Sequence, residues 1–265
     1  MIDAEPMTTI HPSAIVDPKA QLDHGVQVGP YSIIGPNAKI GRDTRIGAHC
    51  VVDGYTTIGA ECQLFTGAVI GSIPQDLKYA GERTELIIGD RNRFREYVTI
   101  NPGTAGGAGK TVIGSDCLLM AYAHVAHDCI IGSRVIIANS AALAGHIQVE
   151  DGAVVGGLVG IHQFVRVGTL SIIGGCSRVT QDVPPYSTCV GYPAKVFGLN
   201  NEGLRRAQTP AETKERLHSA FRLLFHSGLS MSHAIEKVAQ EVEHAPEVDH
   251  LLEFIRQSKR GVCRA

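Results

Sequence analysis

The chain has 265 residues, a formal net charge of −2 and 19% charged residues, which excludes the strongly basic surface of a nucleic-acid binder and the composition of a disordered tail. Hydrophobic residues reach 44%, enough for a folded core, yet no run approaches the ~18 apolar residues of a membrane span. Glycine is abundant at 30 residues while aromatics supply only 5% and tryptophan none, so the interior must be narrow or built from small repeated layers.

The opening residues MIDAEPMTTIHPSA hold no basic stretch followed by an apolar one, so no secretory signal is read and a cytoplasmic location is expected. From Ile10 onward, branched aliphatics recur every six residues: Val16, Leu22, Val28, Ile34, Ile40, Ile46, Val52, Ile58, Leu64 and Ile70. The frame returns at Ile88, Phe94 and Ile100, then resumes one step later at Ile113 and runs through Leu119, Val125, Leu143 and Ile161 to Val179. Four places after these aliphatics stand small residues such as Ala38, Thr44, Cys50, Cys62, Ala68, Cys117, Ala123 and Cys129. This period predicts a mainly β chain wound as a parallel β-helix of hexapeptide repeats. Three hexads close one coil of a triangular prism; the aliphatic faces the axis and the small residue fits the corner. Cys50, Cys62, Cys117 and Cys129 are therefore read as packing residues rather than disulfide partners or thiolate ligands.

Two polar, glycine-bearing segments, 71–87 and 101–112, leave the prism at coil corners, where function tends to sit. The prism is expected over 1–190, ending in a proline-punctuated linker, QDVPPYSTCVGYPAKVFG. A C-terminal α-helical domain is expected over 191–265. There, Thr209-Pro210-Ala211-Glu212 predicts a capping box opening a helix that runs to His226 and stops at Gly228. Further helices are expected over 232–243 and 247–259.

The stretch AHVAHDC, 123–129, is out of keeping with this pattern. Residues eighteen apart share a prism face one coil along, so Val125, Leu143 and Ile161 stack. His127, His146 and His162 are then expected to line one side of three successive coils, with Asp128, Gly145 and Gln163 beside them. A neutral imidazole accepts a proton readily near neutral pH, and an adjacent carboxylate can hold its tautomer and stabilise the imidazolium. A zinc site of histidines shared between subunits is the competing chemistry, which would make the protein a metal-dependent lyase. A purely structural or ice-binding β-helix would need a flat face of repeated threonines, and no such face runs through these hexads.

QDLKYAGE (75–82), HVAHDC (124–129), LAGH (143–146), HQF (162–164), GGCS (174–177), QDVPPY (181–186) and NNEGLRR (200–206) together resemble the UDP-N-acetylglucosamine O-acyltransferases that start lipid A synthesis in Gram-negative bacteria. The resemblance spans essentially the whole chain and implies a left-handed prism assembled as a homotrimer. It implies transfer of a 3-hydroxyacyl group from acyl carrier protein to the 3-hydroxyl of UDP-N-acetylglucosamine, with no metal and no cofactor beyond the carrier-protein thioester. By motif, His127 would be the general base, Asp128 its orienting partner and the Gly145 N–H the oxyanion donor. Gln75, Asp76, Lys78, His124, His146, His162, Gln163, Asn200, Glu202 and Arg206 would bind the nucleotide sugar, and Gly175 would gauge acyl length. Arg166, Arg178, Lys195 and Arg205 are candidates for a basic rim that guides the acidic carrier protein. The sequence departs from the family pattern at Asn101-Pro102, where His-Arg is frequent, and at Ala207, where a further Arg is frequent. An N-acyltransferase on the same scaffold, acting on an amino sugar nucleotide, is the alternative.

Overall fold

A computed structural model describes residues 7–265; the first six residues of the expected prism, and the start of the segment read for a secretory signal, lie outside them. Strands mostly of two residues form three parallel sheets of eleven, nine and eight strands, the faces of a triangular prism. The first face begins at Thr9–Ile10, the second at Ile15–Val16 and the third at Gln21–Leu22. Registers step by eighteen residues on every face, as in Thr9↔Gln27, Ile15↔Ile33 and Gln21↔Lys39, except where two inserts lengthen the step, as in Gln63↔Arg93 and Arg93↔Leu118. The second residue of each pair points inward: Ile34, Val52, Ile70, Ile100, Val125 and Ile137 are essentially buried. Each such side chain contributes about 1.5–3 kcal/mol through burial. Ile10 stays 47% exposed because a terminal coil has a neighbour on one side only.

The corners follow from the same hexad. The third residue after the aliphatic adopts left-handed backbone, with φ of 57° at Asp43 and His49, 59° at Asp128 and 62° at His146. The conformation costs roughly 1–2 kcal/mol per non-glycine residue and persists because coils stacked above and below dictate it. The small residue that follows replaces ladder bonds lost in the bend. Ser32 Oγ donates to Gly47 O (2.7 Å) and accepts from Cys50 N (3.0 Å), and Thr44 repeats this with Gly59 and Cys62. Burial pushes the Cys62 and Cys117 thiols up to about 11 and Cys129 to about 12, as suits packing residues.

Both inserts leave the second face, after Ile70 and Ile100, and both are shorter than expected. They cover 71–84 and 101–109, because Glu85–Ile88 and Lys110–Ile113 are four-residue strands paired in register with each other, and the first of them also with Tyr55–Ile58. The expected linker is also corrected. Ser187–Gly191 adds to the first face beside Ile172–Ile173 and turns back as Ala194–Leu199 in an antiparallel hairpin. Pro193 lies in the turn, where a missing N–H costs nothing.

Four helices follow: α1 (Asn201–Arg206), α2 (Ala211–His226), α3 (Met231–Glu241) and α4 (Pro246–Arg256). Hydrophobic spacing does not reveal α1, and α3 and α4 end two to three residues short of expectation, as fraying ends do. The capping box does not form: Pro210 is the N-cap of α2 with no side-chain bond, while the Thr209 N–H donates to Leu204 O and closes the turn from α1. Leu217, Phe221 and Leu224 are buried where α2 packs on α3 and α4. α4 docks on the prism through Arg166, whose guanidinium lies 4.1 Å from the Phe254 ring centre, and through His250, whose Nε2 is 2.8 Å from Glu150 Oε2. Among the described residues no helix is long and apolar enough to cross a membrane.

Candidate active site

One corner, between the second and third faces, carries most of the polar chemistry. Both inserts leave from it, and on the following coils it holds His127 and Asp128, then Gly145 and His146, then His162 to Phe164. His127 Nδ1 is 2.8 Å from Asp128 Oδ2, and the His127 side chain is 15% exposed while that of Asp128 is 1% exposed. A buried carboxylate must be paid back in hydrogen bonds. Asp128 receives them from the Thr104 N–H (3.1–3.2 Å), the Thr104 hydroxyl (2.7 Å) and His127. Burial raises its pKa, but the bonds from Thr104 and His127 outweigh this and hold it below the usual value.

Gly145 lies directly beneath the His127 ring: a Cβ built there would fall 2.6 Å from Cε1 and 2.8 Å from Nε2. The His146 ring meets His127 edge-on at 5.1 Å, with its Nδ1 4.0 Å from Asp128 Oδ2. His124, on the second face, bonds Thr99 Oγ1 through Nδ1 at 2.7 Å; burial, then the charge of His127, depress its pKa and favour the neutral ring.

The expected wall of three histidines is corrected at its third member. His162 stands one corner position earlier than the place equivalent to His127, is exposed, and among the described residues its ring bonds only the neighbouring Gln163 carbonyl (3.2 Å). The column that contains Asp128 and His146 continues instead with Phe164, whose ring stacks on His146 at 4.5 Å and 8°. Thr104 and the close approach of Gly107 to Asp128 were not legible from spacing, whereas Thr99 pairs with His124 in register and Phe164 keeps the offset of Asp128 and His146. The hexad frame lapses through the 101–109 insert, and the Phe164 column needs the corner offset counted from Val125 and Leu143.

The remaining expected residues are dispersed. Gln75, Asp76 and Lys78 lie on the first insert, where Asp76 Oδ1 accepts from the Lys78 N–H (3.0 Å). Asn101 is buried and donates to Ser72 O (3.0 Å) and Ile73 O (3.1 Å), tying that insert to the coil above it. Asn200 caps α1 by accepting from the Gly203 N–H (2.9 Å) and donates to Leu170 O (2.8 Å), so its side chain is engaged at both ends. Glu202 accepts from Arg205 and Arg206 at 2.7–2.8 Å, and these guanidiniums hold its pKa at about 2. Gly175 is exposed at a different corner, where a Cβ would come within 3.2 Å of Gly157 O. The basic rim is reduced as well. Arg166 is engaged with Phe254, Arg178 lies 5.3 Å over the Tyr192 ring and Arg205 pairs with Glu202, which leaves Lys195 exposed.

A groove of about 850 Å³ opens beside the cluster, lined by His146, Phe164, Gln148, Arg166, Lys259 and Arg260 among others. His127, Asp128 and His146 also offer ligand atoms within 4.8 Å of one another, compact enough for a metal ion. The 2.8 Å separation of Nδ1 and Oδ2 is nevertheless a hydrogen-bond distance, shorter than the ~3.3 Å between neighbouring ligands on a tetrahedral zinc. Chemically, the arrangement is an imidazole held by a buried carboxylate, with the groove beginning at the neighbouring His146.

Comparison with known proteins agrees with this geometry. The family described as Udp N-acetylglucosamine O-acyltransferase, domain 2, matches residues 182–263, and the bacterial transferase hexapeptide family matches 7–42 and 110–145. The acyl-[acyl-carrier-protein]–UDP-N-acetylglucosamine O-acyltransferase of Myxococcus xanthus is 52% identical over 97% of this chain and 100% of its own. That of Xanthomonas euvesicatoria is 48% identical over the full length of both. Among solved structures, LpxA from Acinetobacter baumannii superposes with a TM-score of 0.93 at 44% identity, covering 96% of this chain and 99% of its own. The UDP-N-acetylglucosamine O-acyltransferase of Moraxella catarrhalis gives 0.91 at 41% identity, with the same coverage. With prism and helical tail both matched over nearly the full length, the chain belongs to the acyl-[acyl-carrier-protein]–UDP-N-acetylglucosamine O-acyltransferase family.

Proposed function

We propose that this protein transfers a (3R)-3-hydroxyacyl chain from acyl carrier protein to the 3-hydroxyl of UDP-N-acetylglucosamine, the first step of lipid A synthesis, in the cytoplasm. The observation that carries the mechanism is the His127 Nδ1 contact with Asp128 Oδ2 at 2.8 Å. It holds the proton on Nδ1 and leaves Nε2 free to act as base. His127 removes the proton of the sugar hydroxyl, whose oxygen attacks the thioester carbonyl. The oxyanion that forms is met by the Gly145 N–H, which donates to no group of the chain among the described residues. Collapse breaks the carbon–sulfur bond, and the carrier thiolate leaves with the proton returned from the imidazolium. Direct transfer needs no covalent enzyme intermediate.

The binding parts lie on different corners of one prism, which favours a site completed by neighbouring copies in a homotrimer. Asp76, Lys78, His124, His146, His162 and Gln163 accompany His127 on or beside one corner. Asn200, Glu202 and Arg206 sit by Leu170 at a second, and Gly175 lies at the third. Copies packed side by side bring different corners together around one substrate. Gly175 presents no side chain at an exposed corner where the end of an acyl chain could lie, so Gly175→Met shifts the preferred donor toward shorter acyl groups.

The test is an assay of purified protein with UDP-N-acetylglucosamine and a series of 3-hydroxyacyl carrier proteins. Ester formation at the sugar 3-oxygen is expected. Inactivity with this acceptor, together with amide formation on the corresponding 3-amino sugar nucleotide, would overturn the assignment.

A further inference from the structure

The second insert does more than decorate the corner. Thr104 is 5% exposed and gives both its N–H and its hydroxyl to Asp128. The turn that presents it is closed on itself, since the Thr104 carbonyl accepts from the Gly107 and Gly109 N–H groups, each at 3.1 Å. Gly107 then lies against the carboxylate so closely that a Cβ would fall 2.3–2.5 Å from its carbon and both oxygens. On the other side, the His146 ring is fixed by its stack on Phe164, and its Nδ1 remains 4.0 Å from Asp128 Oδ2 against 2.8 Å for His127.

We propose that Thr104 and Gly107 form a carboxylate clamp, with Thr104 as a positioning residue that turns Asp128 toward His127 rather than His146 and so decides which imidazole is the base. A carboxylate between two imidazoles has two orientations open to it. Two donors from a single residue fix its rotation, and the bare Cα of Gly107 lets the turn come close enough to deliver them. The inference rests on the proposed role of His127, but its structural half concerns only the resting protein.

The experiment therefore has two readouts on the full-length protein. In histidine ¹⁵N spectra at neutral pH, with His127 assigned from His127→Ala, the wild type should show that ring as a single Nδ1–H tautomer. Thr104→Val, which keeps shape and removes the hydroxyl, should give a mixture of tautomers there, and Thr104→Ser should restore the single form. In acyl transfer, Thr104→Val should lower kcat by roughly ten- to a hundredfold, the scale of one hydrogen bond to a charged group, with KM for the nucleotide sugar little changed. Gly107→Ala should do the same, whereas Gly106→Ala, where a Cβ meets nothing within 4 Å, should be silent. This pair decides the matter even if Thr104→Val does not fold. A His127 ring that keeps one Nδ1–H tautomer in Thr104→Val, or equal activities of Gly106→Ala and Gly107→Ala, would overturn the clamp. If His127→Ala stays active, the assignment of the base fails while the tautomer result still decides the clamp.

Discussion

Replacing Gly145 by alanine puts a methyl group where the His127 ring now lies. The new Cβ would sit 2.6, 2.8 and 3.1 Å from Cε1, Nε2 and Nδ1, against the ~3.5–4.0 Å that carbon contacts prefer, so the ring must retreat by about 1 Å. A displacement of that size at a reacting group costs about a hundredfold in rate, or ~2.7 kcal/mol of barrier at 1.36 kcal/mol per decade. Stability should move otherwise, because Gly145 has no left-handed backbone to defend and alanine lowers unfolded-chain entropy by the equivalent of about 0.4–1 kcal/mol. The assay is kcat for acyl transfer beside a calorimetric melt of the same preparation. A variant within about threefold of wild type would refute the reasoning from ring displacement, and so would activity lost only in step with a large fall in Tm.

Two further expectations test the scaffold. Phe94 is fully buried on the prism axis where the repeat otherwise uses aliphatics, so Phe94→Ala should cost about 3–5 kcal/mol in denaturant unfolding; a loss under ~1 kcal/mol would mean the axis closes over the gap. Glu150 raises the His250 pKa by hydrogen bonding, against the opposing effect of burial. A folded-state pKa above 6.5 makes that contribution complete below pH 6.5 and removes it as pH rises through the folded value. The ring is 40% exposed, so the pair is worth at most about 1 kcal/mol. Melts of wild type and Glu150→Gln should therefore differ by a few degrees near pH 6 and converge near pH 9; a gap that widens with pH would contradict the pairing.

Much of this molecule was legible in its sequence because a prism translates spacing into position without ambiguity. Val125, Leu143 and Ile161 lie on one face since the chain closes a coil in three hexads, and His127 and Asp128 inherit their corner from Val125. Legibility ended where the period did. Inside the second insert nothing in the spacing placed Thr104 or Gly107 over Asp128, because the loop's path is set by its own turn bonds. His162 shares the corner but stands one place after its aliphatic, Ile161, whereas His127 stands two after Val125. At a corner, one residue changes the direction of a side chain, and the stacked position belongs to Phe164. The hairpin over 187–199 was hidden by Pro193 and the preceding Pro184-Pro185, since prolines punctuate turns as readily as linkers. Its strand is ordered by the edge of the first face, a tertiary partner that local sequence does not show. Thr209 and Glu212 had the residue types of a capping box, yet the Thr209 N–H was taken by Leu204.

The measurement that bears most directly on the chemistry is kcat of His127→Ala with UDP-N-acetylglucosamine and a 3-hydroxyacyl carrier protein, taken with its melting temperature. Among the described residues the His127 ring is bonded only to Asp128, which keeps its Thr104 partners when the ring is gone. Loss of a general base should lower kcat by about 10²–10⁴-fold in a protein that melts within a few degrees of wild type. Activity retained within about tenfold by a well-folded variant would show that another group takes the proton.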